Sequence, residues 1–217
     1  MKKVQDHYFR EAKQQGFAAR SAYKLVEIDR KHKLLTAGMR VLDLGCAPGS
    51  WLQVAAQRVG GAGRVVGVDL QAVTLKLPSQ VRTLVGDIDD LPEDSLRPTP
   101  EPETSPESGS EPGADPTAGP CFDVVLSDMA PRTTGIKQAD AARSAALGQR
   151  VIEVADRLLK PGGHLLLKVF QGGDMPALRD LLREKYAKVT VEKPRASRSE
   201  SVEVFLLGKS RKEQAAG

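Results

Sequence analysis

Val41-Leu42-Asp43-Leu44-Gly45-Cys46-Ala47-Pro48-Gly49-Ser50-Trp51 is the stretch whose reading decides the fold. It opens as a short apolar run, the pattern of a strand buried on both faces of a parallel sheet. It then passes Asp43, makes a turn punctuated by Gly45 and Gly49, and enters Trp51-Leu52-Gln53-Val54-Ala55-Ala56 with helical periodicity. Strand, glycine turn and helix start form a ligand cradle, because glycine lets the backbone approach a ligand closely. The spacing is not the dinucleotide pattern, and an acid stands two residues before the first glycine. That carboxylate repels a pyrophosphate and attracts an ammonium or a sulfonium. S-adenosyl-L-methionine carries both.

Outward from this turn the alternation of strand and helix continues. Residues 64–70 read as a second buried strand ending in Asp69, roughly 20 residues past the glycine turn, where such folds place an acid on ribose hydroxyls. Residues 81–87 give a third strand ending in Asp87, positioned to meet an adenine amino group. Residues 121–126 give a fourth, which runs into Ser127-Asp128-Met129-Ala130-Pro131. Pro131 does not continue a strand, so Asp128 falls where the chain leaves the sheet. Any one of these acids could be a helix cap or turn residue. Residues 139–159 read as a long helix stopped by Lys160-Pro161-Gly162-Gly163. His164 to Phe170 is a fifth strand with Lys168 inside it, and a lysine there needs water or a partner for its head. A helix over 174–186 and strands over 188–192 and 202–207 complete the pattern. The expectation is an α/β fold of Rossmann type, with a seven-stranded, mostly parallel sheet and helices on both faces.

Charge is unevenly divided. Residues 92–120 are rich in Pro, Glu, Ser and Gly and hold seven acids against one base. The net charge of +4 therefore divides into −6 for this segment and +10 for the remainder. A body at +10 fits a polyanionic partner such as nucleic acid. The segment has too little apolar surface to offset its ordering entropy, so it reads as a disordered acidic insert within a single domain spanning 1–217. Residues 1–40 are basic, with ten Lys or Arg against four acids. Within them, residues 18–29 have the period of an amphipathic helix, Ala22, Leu25 and Ile28 on its inner stripe. Lys24 lies off that stripe and by pattern alone is a solvated charge. Residues 209–217 read as a frayed tail.

Other classes are set aside by composition. Cys46 and Cys121 stand far apart without histidine spacing, and His7, His32 and His164 do not cluster, so neither a disulfide framework nor a metal site is expected. No apolar run approaches a membrane span, and the start lacks a secretory pattern. A cytoplasmic, monomeric protein is the expectation.

Five pieces together resemble the FtsJ-like family of ribose 2′-O-methyltransferases. They are Ser21-Ala22-Tyr23-Lys24-Leu25, the segment from Asp43 to Trp51, the segment from Ser127 to Pro131, Lys168-Val169-Phe170-Gln171-Gly172, and Ser201-Val202-Glu203-Val204-Phe205. They run in the family's order and span nearly the whole chain except the insert. The resemblance implies S-adenosyl-L-methionine as methyl donor and, as substrate, a uridine ribose of 23S ribosomal RNA in the large ribosomal subunit. It places a catalytic tetrad on Lys24, Asp128, Lys168 and Glu203, which replaces the solvated reading of Lys24. It places donor contacts on Gly49, Trp51, Asp69, Asp87 and Asp128, beside Asp43 and Gly45 of the turn. Lys168 then either takes the proton of the 2′-hydroxyl or stays charged and steers it. The sequence departs from the family at Cys46 and Ser50, where Ala and Gly are more frequent, and at Arg132. A transfer RNA substrate and a non-catalytic RNA-binding role are the competing readings. The intact tetrad opposes the second, and residues alone do not separate the two RNAs.

Overall fold

The structure is a computed structural model that describes residues 10–213 except 13, 99–118 and 199. Among the described residues the strands are β1 (Arg40–Leu44), β2 (Arg64–Asp69), β3 (Val81–Val85), β4 (Phe122–Ser127), β5 (Leu159–Phe170), β6 (Tyr186–Glu192) and β7 (Glu203–Arg211). The helices are α1 (Ala22–His32), α2 (Ser50–Val59), α3 (Glu93–Leu96), α4 (Lys137–Leu158) and α5 (Met175–Lys185). One sheet contains all seven strands in the order β3-β2-β1-β4-β5-β7-β6. The first five pair in parallel, and β7 runs antiparallel to both β5 and β6. The expected fold is present.

The continuous apolar runs follow from burial on two faces. Along β1, Val41 packs into one core and Leu42 and Leu44 into the other. Along β5, Leu166 faces one way and Leu165 and Leu167 the opposite way. This is the period-2 alternation of a strand, masked in the sequence because both sides are apolar. Ala22, Leu25 and Ile28 of α1 and Leu52, Val54 and Ala55 of α2 cover the first face. Val151, Ile152, Ala155 and Leu158 of α4 and Leu178 and Leu182 of α5 cover the second.

The strand order reverses at β1, which pairs β2 on one side and β4 on the other. Crossovers leave these two strands in opposite directions, so a crevice opens beyond their carboxyl ends. The segments after Leu44, Asp69, Val85 and Ser127 all meet there.

Two boundaries differ from the sequence reading. The acidic insert does not begin at residue 92: α3 places Leu96 in the core at 2% exposure. Next to it, the Arg97 guanidinium donates to the Gly119 carbonyl at 2.5 Å and pairs with Glu93 at 3.0 Å. A single leucine and one arginine anchor both ends of the insert, and composition averaged over 92–120 hides them. Residues 99–118 of the insert, the start of the basic N-terminal region and residues 214–217 lie outside the described residues. The tail also begins later than residue 209. β7 continues to Arg211, which is buried and donates to the carbonyls of Leu159 at 2.5 Å and Asp156 at 2.7 Å. Carbonyls at a helix end and strand start need donors, and an arginine in a polar-looking tail supplies two.

Replacing the whole of 92–120 by a short link should therefore lower the thermal midpoint, and Leu96→Ala alone should cost about 2–4 kcal/mol in denaturant unfolding. A second expectation concerns His164 on β5, whose Nδ1 accepts the Ser210 N–H at 3.1 Å. Burial holds this imidazole below the ordinary histidine range, with Lys209 adding to the effect. The folded state thus favours the neutral ring. That contribution is complete above the unfolded value near 6.5 and is lost as pH falls through the depressed folded value. Thermal midpoints taken between about pH 8 and pH 5 should fall more steeply for the native chain than for His164→Asn, which keeps an acceptor that does not titrate.

Candidate active site

The glycine turn is built by the residues around it. Gly45 N–H donates to the Val68 carbonyl at 2.8 Å, and Cys46 N–H to the same oxygen at 3.1 Å. Gly45 has a φ of 81°, and a Cβ on it would lie 2.5 Å from Met129 Cγ, so Met129 roofs the turn only because the side chain is missing. Gly49 has a φ of 109° and caps α2, and the Ala47–Pro48 peptide is cis. Gly67 on β2 leaves room for Cys46 Sγ and Leu52, which a Cβ would approach to 2.8 Å. The departure at Cys46 is thus accommodated by a neighbouring glycine.

Three acids converge on the crevice. Asp43, next to last in β1, is fully buried, and among the described residues neither carboxylate oxygen has a hydrogen-bond partner. Burial pushes its carboxyl well above the usual range, and the charges of Asp128 and Asp69 push in the same direction. Asp69 accepts the Ala47 N–H at 2.9 Å through one oxygen and the Gln71 N–H at 2.9 Å through the other. It therefore fastens the β2 end to the glycine turn as well as facing the crevice. Asp87 lies beyond β3, accepts the Asp89 N–H at 3.1 Å, and sits 3.6 Å from the Arg150 guanidinium, which also pairs with Asp89. Arg150 projects from the middle of α4. Nothing in its local sequence marks it, because its partners are some sixty residues earlier in the chain.

Trp51 is placed differently from a residue that touches a ligand with its ring. Its indole is 2% exposed, donates to the Ser21 carbonyl at 2.9 Å, and packs on Phe205. What it can offer the crevice is its backbone N–H, one of the unpaired donors of a helix start. The indole holds the beginning of α1 against β7, and the Ser50 hydroxyl meets the Ser21 hydroxyl at 2.7 Å at the same junction. The departure at Ser50 is thus part of that clasp.

Lys24, Asp128, Lys168 and Glu203 form one chain of charges. Lys24 Nζ pairs with Glu203 Oε2 at 3.0 Å and lies 5.7 Å from the Phe205 ring centre. Lys168 Nζ contacts Asp128 Oδ1 at 2.9 Å, donates to the Asp128 backbone carbonyl at 2.6 Å, and stands 3.8 Å from Glu203 Oε1. Both lysines are 8% exposed. Burial by itself would raise the Glu203 carboxyl, but Lys24 and Lys168 outweigh it and hold the group below its ordinary range. By pattern Lys24 is a surface charge. It is buried because α1 rotates the residue beside its apolar stripe toward β7, where a carboxylate waits. Among the described residues no group of acids, histidines and cysteines is arranged to hold a metal ion.

Residues 17–211 match the model of the family described as FtsJ-like methyltransferase. The chain belongs to that family and is a methyltransferase. A protein of Bdellovibrio bacteriovorus named ribosomal RNA large subunit methyltransferase E is 46% identical over 207 residues, covering 95% of this chain and 97% of its own. One of the same name from Syntrophobacter fumaroxidans is 45% identical over 205 residues, covering 94% and 95%. A solved structure from Plasmodium falciparum, assigned as a ribosomal RNA methyltransferase, shares the fold with a TM-score of 0.73 at 23% identity, covering 91% of this chain and all of that one.

The turn itself is testable without any ligand. Gly45→Ala combines a left-handed backbone with a contact against Met129 and should lower unfolding stability by about 1–3 kcal/mol in urea titrations. The companion Met129→Ala should restore part of the loss by removing the atom that the new Cβ meets.

Proposed function

We propose that the chain is a cytoplasmic, monomeric RNA ribose 2′-O-methyltransferase that uses S-adenosyl-L-methionine and acts on ribosomal RNA of the large subunit, at a uridine. One observation carries the reading: two buried lysines and two carboxylates alternate at the mouth of a crevice lined by three further acidic strand ends. The names of these relatives favour ribosomal over transfer RNA. No helix among the described residues is long and apolar enough to cross a membrane.

The residues fit the donor. Asp43 supplies buried oxygens that lack a partner, and the Gly45 and Gly49 positions form a turn where a side chain would collide. Asp43, Gly45, Gly49, the backbone of Trp51, Asp69, Asp87 and Asp128 are the groups assigned to hold it. Acids gathered in a space of low dielectric favour a ligand that brings positive charge. When bound, S-adenosyl-L-methionine supplies an electrophilic methyl group on a sulfonium.

The chain's own residues do the rest. Lys168 is aimed by three oxygens, two from Asp128 and one from Glu203, so its Nζ points to one place. There it holds the ribose 2′-hydroxyl in line for attack and takes or steers its proton. Glu203 is shared between the lysines, and Lys24 balances the charge that Glu203 brings. Asp128 stands at both sites, as a crevice acid and as the partner of Lys168.

The test uses large ribosomal subunits isolated from cells lacking this chain, with total transfer RNA as the competing substrate. Lys168→Ala should bind donor within about two-fold of the native value in calorimetry and lose at least ~10² in single-turnover transfer. Lys168→Arg should not restore the rate, because guanidinium keeps its proton near neutral pH and its planar fork differs from an ammonium. Transfer to transfer RNA but not to subunits would replace the substrate reading. An arginine variant at full rate would leave only the steering role.

A further inference from the structure

A second cavity, of about 290 Å³, opens beside the tetrad. One wall is the end of β5 and the residues after it, Phe170 and Gln171. Facing it are Glu200, Ser201, Val202 and Glu203, while the loop before α4 contributes Thr133 and the start of α4 contributes Lys137 and Asp140. Glu203 belongs to both places, since it borders this cavity and stands 3.8 Å from Lys168 Nζ. Phe170 is the register partner of Glu203.

The cavity has the composition of a site for a flat, partly polar group. Phe170 and Val202 give it apolar walls, Val202 being 40% exposed, and Ile136 at 66% exposure stands next to the lining residue Lys137. Around these lie the Gln171 amide, the Thr133 hydroxyl and the Lys137 ammonium. None of the three side chains is engaged by a hydrogen bond or ion pair among the described residues. The walls are nevertheless fixed. The Asp140 carboxylate accepts the Thr134 N–H at 2.8 Å, the Thr134 hydroxyl at 2.8 Å and the Gly135 N–H at 3.0 Å. These bonds hold its carboxyl below the usual range. Gln171 N–H donates to the Val202 carbonyl at 2.8 Å, which locks the second wall to the first and leaves the side-chain amide unused. Recognition groups without partners on a rigid frame are the arrangement of a preformed binding site.

The reaction itself requires such a space. Lys168 is 8% exposed, so a ribose must enter the crevice for its hydroxyl to meet Nζ, and a nucleotide swung out of its stack can do so. The base is carried on the ribose carbon next to the one bearing the 2′-hydroxyl. A ribose held at Lys168 therefore delivers its base to the immediate neighbourhood of Glu203. We infer that this cavity receives the swung-out nucleobase of the nucleotide being methylated, with Gln171 pairing to the polar edge of the base and Lys137 meeting an adjoining phosphate. The inference rests on the RNA ribose reading above. Gln171 can present both a donor and an acceptor, which matches the paired N–H and carbonyl of a pyrimidine edge. Phe170 and Val202 supply the apolar contact for its ring.

The experiment uses the full chain and large subunits isolated from cells lacking it. Gln171→Ala and Val202→Trp, the second filling the cavity, are compared with the native enzyme. Donor affinity by calorimetry should stay within about two-fold, while single-turnover transfer should slow at least about ten-fold, the loss of a polar base contact. In parallel, the methylated nucleotide is mapped and replaced by a photoreactive thio-analogue, and the crosslink to the unaltered enzyme is located by mass spectrometry. A crosslink within 133–137 or at Phe170, Gln171 or Val202, together with slowed transfer by Val202→Trp, supports the inference. A crosslink elsewhere, or full-rate transfer by Val202→Trp, overturns it and leaves the RNA reading standing. No transfer by the unaltered enzyme overturns both.

Discussion

Two ammonium groups buried at the carboxyl edge of a sheet can persist only if carboxylates reach them from outside their own elements. A buried charge left alone costs several kcal/mol; β5 carries no acid, and the two acids of α1 are engaged elsewhere, Asp29 by Arg58 and the Leu35 N–H and Glu27 by the Arg195 N–H. Asp128 comes from the end of β4 and Glu203 from the start of β7, so four elements distant in sequence are tied at one point. The position of α1 against the sheet follows from this. Trp51 reinforces it by bonding the backbone just ahead of α1 while stacking on Phe205, the residue beneath Lys24. The same side chains that close the charge chain thereby fix the angle at which the helix approaches the sheet.

Much of the fold was legible because its signals are local. The parallel strands are runs rich in Val and Leu, four of them with an acid at or just beyond the carboxyl end, and glycine or proline stands at or soon after the ends of α2 and α4. What was hidden depended on contacts between distant residues. Leu96 is one apolar residue in an acidic, proline-rich stretch, and no periodicity surrounds it. Arg211 looks like any basic tail residue until Leu159 and Asp156 present their carbonyls. Lys24 shows the limit most clearly. The helical period places it beside the apolar stripe, and only the knowledge that a glutamate stands on the facing strand changes a solvated charge into a buried one.

The candidate site divides in the same way. The acids at the ends of β1, β2 and β4 could be read from spacing, since the carboxyl ends of parallel strands share one edge. Their present bonding could not. Asp69 is engaged by two backbone donors and so has a structural duty besides any ligand it meets, whereas Asp43 is engaged by none. Arg150, the clasp of Ser21 with Ser50, and the roof that Met129 makes over Gly45 have no counterpart in local sequence. Each joins elements that only the folded sheet brings together.

The reversed direction of β7 has a consequence for how this chain can vary. The parallel strands turn their carboxyl ends to the crevice side of the sheet, but β7 brings its first residue, Glu203, there. Because Glu203 is both the opening residue of a strand and a member of the charge chain, one alignment governs both. Sliding β7 by a single position would turn Val204, Phe205 and Leu206 inside out and withdraw the carboxylate from both lysines in the same stroke. Folding and chemical competence are therefore proofread together at this strand. A chain that pairs β7 wrongly cannot pass as a well-packed protein that merely lacks activity.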